Sequence, residues 1–291
     1  MSDPLTVGLV GAGPWAGAFH APMIQHGPGT RLAAVWARRP DAAAALAAKY
    51  QAKAASSFDE LLDGCEAVAF AVPPDIQARY APRAAAAGRH LLLEKPLGFT
   101  LAEARAVADA VAEAGVISQI VLTNRYREPV RTFIHAARAA EPIGATAEYL
   151  GGGARPGGVF ATPWRVRRGA LLDLGPHMLD LLDAAVGPIA EVHAAGDPAR
   201  WVALTVRHEN DALSQAALSI TAPMPVQILN CLVVTEAGPV QLQDSPGYAL
   251  DDRAEVQKTI MHEFTEAVRS GSPHPLDAAR GLYLQELLEG I

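Results

Sequence analysis

An alternation of short apolar runs with alanine-rich stretches governs residues 5–122. LTVGLV (5–10) leads into a glycine-rich turn and a helical segment. LAAVW (32–36) precedes the stretch 40–50, AVAFAV (67–72) precedes 75–88, and HLLLE (90–94) precedes 100–114. VISQIVL (116–122) closes the series. Apolar runs bounded by turn residues and separated by helices are the pattern of βαβ units on a parallel sheet buried on both faces. Right-handed crossovers then give a doubly wound, Rossmann-type α/β domain over residues 1–123.

The rhythm changes after residue 123. Helical patterns occupy 128–140 and 170–186, and strand-like runs follow at 189–195, 201–208, 213–220, 226–234 and 239–243. Consecutive strands with short connections predict an α+β domain over 124–291 with an open, mainly antiparallel sheet. Helical patterns at 254–270 and 277–289 end the chain, the last a candidate to pack back on the first domain. Residues 212–235 carry no charge for 24 positions, long enough to raise the question of a membrane span. Pro223, Pro225, Gln215, Gln227 and Asn230 interrupt that run, and its alternation reads as two buried strands with a turn.

Composition excludes several classes. Half of the residues are hydrophobic and 19% are charged, which supports a sizeable core and opposes disorder. A net charge of −7, with Arg165, Arg167 and Arg168 as the only dense basic cluster, argues against a nucleic-acid partner. Cys65 and Cys231 form no disulfide framework or CxxC knuckle, and MSDPLTVGLVG has no basic segment of a secretory signal. The expectation is a reduced, cytoplasmic setting without membrane association or a structural metal.

Four segments carry chemistry. Gly11-Ala12-Gly13-Pro14-Trp15-Ala16 is a G-x-G-x-x-A turn after the first strand and before a helix. In a dinucleotide site Gly11 permits the turn, Gly13 lets the backbone approach a pyrophosphate, and the helix N-terminus faces the phosphates. An ordinary strand–helix turn is the alternative. After strand two, Val35-Trp36-Ala37-Arg38-Arg39 lacks the acid that grips the ribose hydroxyls of NAD. Arg38 and Arg39 can hold a 2′-phosphate instead, which favours NADP over NAD; two solvated loop arginines are the alternative.

HLLLEKPLG sets Glu94, Lys95 and Pro96 at the carboxyl end of a strand, the edge that lines the ligand crevice of a parallel sheet. Lys95 there can bond a substrate hydroxyl and exchange a proton with it. The competing reading is a surface lysine, and the Lys95–Pro96 bond is open to either isomer. GALLDLGPHMLDLLDAAVG (169–187) spaces Asp173, His177 and Asp180 at i, i+4 and i+7. Pro176 is expected to start the regular helix and leave Asp173 on the preceding turn. Acids beside a histidine can tune it for proton transfer, and a satisfied, semi-buried histidine is the alternative.

The GAG turn, AVPP (71–74), AGRHLLLEKPL (87–97), LTNRY (122–126) and GALLDLGPHMLDLL (169–182) together resemble the Gfo/Idh/MocA family over nearly the whole chain. The resemblance implies nicotinamide-dependent oxidation of a carbinol or reduction of a ketone, usually on a sugar or polyol. It matches Lys95 to the family's EKP lysine, His177 to its acid–base histidine and Asp173 to the acid four residues earlier. Asn124 and Arg125 match an N-R segment beside the nicotinamide, and Trp164-Arg165 a pair near substrate. Two departures stand out: Gln77 replaces a frequent histidine, and Gly169-Ala170 replaces a Gly-Gly.

The combined expectation is an NAD(P)-dependent oxidoreductase acting on the CH–OH of a sugar or cyclitol. Lys95, His177 and Asp173 form its catalytic set. Gly11, Gly13, Pro14, Trp15, Arg38, Arg39, Pro73, Glu94, Lys95 and Asn124 contact the cofactor. Lys95, Arg125, Trp164, Arg165 and His177 contact substrate, and an open sheet face is covered in a homodimer or homotetramer. The alternatives are a glycoside hydrolase working through transient oxidation by bound NAD, and a cofactor-sensing regulator without catalysis.

Overall fold

The computed structural model describes residues 3–158, 160–244, 252–289 and 291. The chain divides into two compact units, Met1–Leu122 with Arg253–Tyr283, and Thr123–Asp252 with Leu284–Ile291. Residues 253–283, counted with the second half in the sequence, thus cluster with the first unit. Among the described residues no helix is long and apolar enough to cross a membrane.

The first unit is built on six strands: β1 (Leu5–Val10), β2 (Thr30–Trp36), β3 (Lys53–Ala54), β4 (Ala67–Phe70), β5 (His90–Leu93) and β6 (Ser118–Ile120). All pair in parallel, in the order β3-β2-β1-β4-β5-β6. The order reverses between β1 and β4, which opens a crevice beyond their carboxyl ends. The connecting helices are α1 (Ala21–His26), α2 (Pro40–Lys49), α3 (Phe58–Asp63), α4 (Pro74–Ala86) and α5 (Leu101–Ala114). β4 is buried along its whole length, as expected of a strand covered on both faces. A capping box between Thr100 and Glu103 starts α5, and Gly115, at φ +63°, ends it. β3 and α3 went unread in the sequence because two and six residues are too short to display a period.

The second unit contains α6 (Glu128–Arg138), β7 (Pro142–Leu150), α7 (Pro163–Gly169) and α8 (Gly175–Val186). It continues through β8 (Ile189–Asp197), β9 (Trp201–His208), β10 (Leu213–Ser219), β11 (Ile228–Thr235) and β12 (Gly238–Asp244). Its open sheet has the order β12-β11-β7-β10-β9-β8, antiparallel except where β10 runs parallel to β7. β7 is the strand the sequence did not reveal. PIGATAEYL carries a glycine, two alanines and a glutamate, a composition with weak strand preference. Its central place separates the two strands of the uncharged run, so β10 and β11 each pair with β7 and not with one another. β9 alternates exposed and buried along all eight residues, so one sheet face is covered and the other open.

Asp173 does not sit on a turn before a separate helix. Helical backbone continues from 163 to 186, widened into a π-helical turn at Ala170–Leu174 immediately ahead of Pro176. A proline removes an N–H and crowds the carbonyl four residues back, and a π-helical turn relieves both. The same device precedes Pro22, where Ala16–His20 is π-helical. There the loosened carbonyls find new donors from α9 (Arg253–Ser270): Arg253 donates to Ala18 O at 3.3 Å and Gln257 to Phe19 O at 2.8 Å. The final helix is α10 (Ala278–Glu289).

Candidate nucleotide and acid–base sites

The glycine turn forms the floor of a cavity of about 430 Å³ at the β1/β4 crevice. Gly11 has φ +119°, and a side chain there would place its Cβ 2.4 Å from Ala71 O. Its N–H donates to Trp36 O at 2.8 Å, which ties the turn to the end of β2. Gly13 differs: a Cβ at that position would meet no atom within 4 Å. The backbone therefore faces open space at the position where a pyrophosphate needs close approach, and the residues present fit a dinucleotide.

Gly11, Gly13, Arg38, Arg39 and Pro73 all line this cavity; Pro14, Trp15, Glu94 and Lys95 do not. Trp15 points its indole N–H at Glu94 Oε1 (2.7 Å) and stacks on Phe19 with ring centres 4.5 Å apart. The sequence did not single out Arg79 and Tyr80, which also line the cavity from α4. Ile76, Arg79 and Tyr80 follow an i, i+3, i+4 spacing on the helix after β4, and that spacing was the available signal.

The Lys95 segment is held from three sides within the first unit. The Lys95–Pro96 peptide is cis. Glu94 Oε1 lies 2.8 Å from Nε2 of the fully buried His20, and Glu94 Oε2 accepts from Lys95 N at 3.3 Å. Gln77, also fully buried, donates through Nε2 to Glu94 O at 2.7 Å and to Leu97 O at 3.3 Å. Gln77 and His20 thus support the segment that carries the candidate lysine. The first was visible in the sequence only as a departure from the family pattern, and the second not at all.

In the second unit, Asp173 and His177 are both buried, Asp173 on the π-helical turn and His177 in the first turn of α8. Arg165 Nε donates to Asp173 Oδ2 at 3.1 Å, and its guanidinium lies 4.3 Å from the Trp164 ring centre. Arg125 NH1 donates to Oδ2 of the buried Asp180 at 3.0 Å. Each arginine assigned to substrate therefore carries a carboxylate partner from the Asp173–His177–Asp180 stripe.

Tyr149, at the end of the unread strand β7, joins this group with its ring edge-on to His177 at 6.0 Å. Burial pushes its phenol up to about 12, with the charge of Asp173 adding to the rise and Asn124 and Arg127 opposing it. Asn124 is buried on the 3₁₀ turn Thr123–Tyr126.

Known proteins share this two-part fold. Residues 5–122 match the oxidoreductase family with an NAD-binding Rossmann fold, and residues 128–238 match the GFO/IDH/MocA C-terminal domain. A 4-carboxy-2-hydroxymuconate-6-semialdehyde dehydrogenase from Sphingobium sp. is 31% identical over 45% of this chain and 42% of its own length. A D-glucoside 3-dehydrogenase from Escherichia coli is 31% identical over 62% of this chain and 53% of its own. The alignments thus span about half the length of these curated relatives. The crystal structure of GenD2 from gentamicin A biosynthesis, in complex with NAD, superposes with a TM-score of 0.85. It is 23% identical, over 99% of this chain and 93% of its own, and shares the fold. The glycine turn, the parallel sheet, the open second sheet and both family matches lead to one conclusion: the chain belongs to the GFO/IDH/MocA oxidoreductase family, with an NAD-binding Rossmann fold.

Proposed function

We propose that this protein is an NADP-preferring oxidoreductase that interconverts a carbinol and a ketone on a sugar, cyclitol or related compound. The observation that carries the reading is the Gly11–Gly13 cradle opening on the same cavity as Arg38 and Arg39, with Ala37 in place of an acid. When bound, the cofactor supplies the hydride acceptor or donor. The chain's residues bind and orient it and move the proton of the reacting oxygen. Gly13 leaves room for the pyrophosphate, and Arg38 takes the 2′-phosphate. Lys95 and His177 share proton transfer with the carbinol oxygen, and Asp173 orients one of them. Similarity to a D-glucoside 3-dehydrogenase supports a sugar-like substrate.

The test is NADPH absorbance during incubation with a panel of keto sugars and keto cyclitols. Oxidation with at least one, and slower turnover with NADH, is expected. No cofactor oxidation across the panel would remove the sugar reading.

The open sheet face carries Trp201, Leu213 and Val234, each 46–56% exposed. Apolar residues on one sheet face favour a second copy as cover, giving a homodimer or homotetramer. Light scattering at micromolar concentration is expected to give at least twice 30.5 kDa; a monomer would contradict this.

A further inference from the structure

Three arginines and no acidic residue line the cavity beyond the glycine turn, in a chain whose net charge is −7. Two of them, Arg38 and Arg39, come from the turn after β2, and the third, Arg79, comes from the second turn of α4. Among the described residues none of the three is in an ion pair. Arg83, one turn further along α4, makes the contrast. It is tied to Asp59 at 2.7 Å, lies over Phe58 at 5.1 Å and does not line the cavity. The wall beneath Arg79 is built: Tyr80 packs on Trp36 and Phe58 with ring centres 4.9 and 4.8 Å apart, and the Arg79 guanidinium lies 5.5 Å from the Tyr80 ring centre.

Cations gathered in one concave site with no ion-pair partner among the described residues favour an anion there. We propose that Arg79 is the second arm of a phosphate clamp, gripping the 2′-phosphate of NADP from α4 while Arg38 grips it from the β2 turn. This rests on the NADP reading above and adds a specificity-determining residue from a different element. Two arms fix a phosphate's position more tightly than one exposed arginine, because each bidentate guanidinium constrains its orientation. A guanidinium stacked on the adenine ring would strengthen NAD and NADP alike. A phosphate arm strengthens only the 2′-phosphorylated form.

The experiment is calorimetric titration of the full chain with adenosine 2′,5′-bisphosphate and with adenosine 5′-phosphate, for wild type, Arg79→Ala and Arg38→Ala. Neither probe requires substrate or turnover. Arg79→Ala is expected to weaken the bisphosphate about tenfold, the size of one charge-assisted contact, and to change the monophosphate less than about twofold. Equal weakening of both probes would overturn the proposal and make Arg79 an adenine contact. Unchanged binding in Arg79→Ala, with discrimination lost in Arg38→Ala, would overturn it and leave the NADP reading standing on Arg38 alone. Absence of discrimination in the wild type would overturn both.

Discussion

The Gln77 amide closes a two-bond ring with Glu94: Gln77 Oε1 accepts from Glu94 N at 2.8 Å while Gln77 Nε2 donates to Glu94 O at 2.7 Å. One buried side chain thereby replaces a strand neighbour for the residue before Lys95. Gln77→Leu would leave a buried N–H and C=O unpaired, each worth about 1–3 kcal/mol. Urea unfolding is expected to report a loss of about 2–4 kcal/mol. A change below about 0.5 kcal/mol would mean that the loop holds itself.

Gly11 and Gly13 separate folding from binding. Gly11→Ala places a Cβ against Ala71 O in a backbone conformation that alanine avoids, so its thermal unfolding midpoint should fall by several degrees. Gly13→Val meets open space, so its midpoint should stay near wild type while cofactor binding disappears. Fluorescence titration with NADPH checks the second claim. Normal binding by Gly13→Val would make the turn a purely structural one.

Lys95→Ala and His177→Ala are each expected to lower turnover by about 10²–10⁴, the usual worth of a positioned acid or base. Their NADPH dissociation constants should move far less. Steady-state kinetics on the substrate found by the sugar panel measures both, and wild-type turnover in both variants would remove them from proton transfer.

The βαβ rhythm, the glycine turn and the EKP segment were legible because they depend on local spacing. Runs such as AVAFAV, bounded by turn residues, need no tertiary information. β7 was not legible, because its place at the centre of the second sheet comes from pairing with β10 and β11 and not from its own residues. Tyr149 was lost with it. The π-helical turn before Pro176 escaped for a related reason: a proline in a helical pattern reads as a start, whereas here the preceding turn widened to carry the helix through. His20 and Arg79 became candidates only when folding brought the π-helical turn Ala16–His20 beside Glu94 and α4 beside the β2 turn.

Tyr149 makes a prediction at alkaline pH. Its phenol is pushed up to about 12, whereas an unfolded tyrosine titrates near 10. Above about pH 10 the unfolded chain releases this proton and the native chain keeps it, so stability falls as pH rises from about 10 to 12. Tyr149→Phe should flatten this arm by about 2 kcal/mol in urea titrations at pH 9 and 11.5. An identical slope in both proteins would place the effect elsewhere.

The proposed preference for NADP turns on Ala37 and Arg38. A charge-assisted contact from Arg38 is worth about 1.5–3 kcal/mol, or roughly a tenfold to hundredfold preference. Replacing Arg38 with Ala should erase most of it, Ala37→Asp should turn it towards NAD, and high salt should shrink it. The direct measurement is the pair of dissociation constants for NADPH and NADH in the unmodified protein at low salt. NADPH is expected to bind at least about tenfold more tightly; equal constants would rule out the 2′-phosphate contact and return Arg38 to the status of a solvated loop residue.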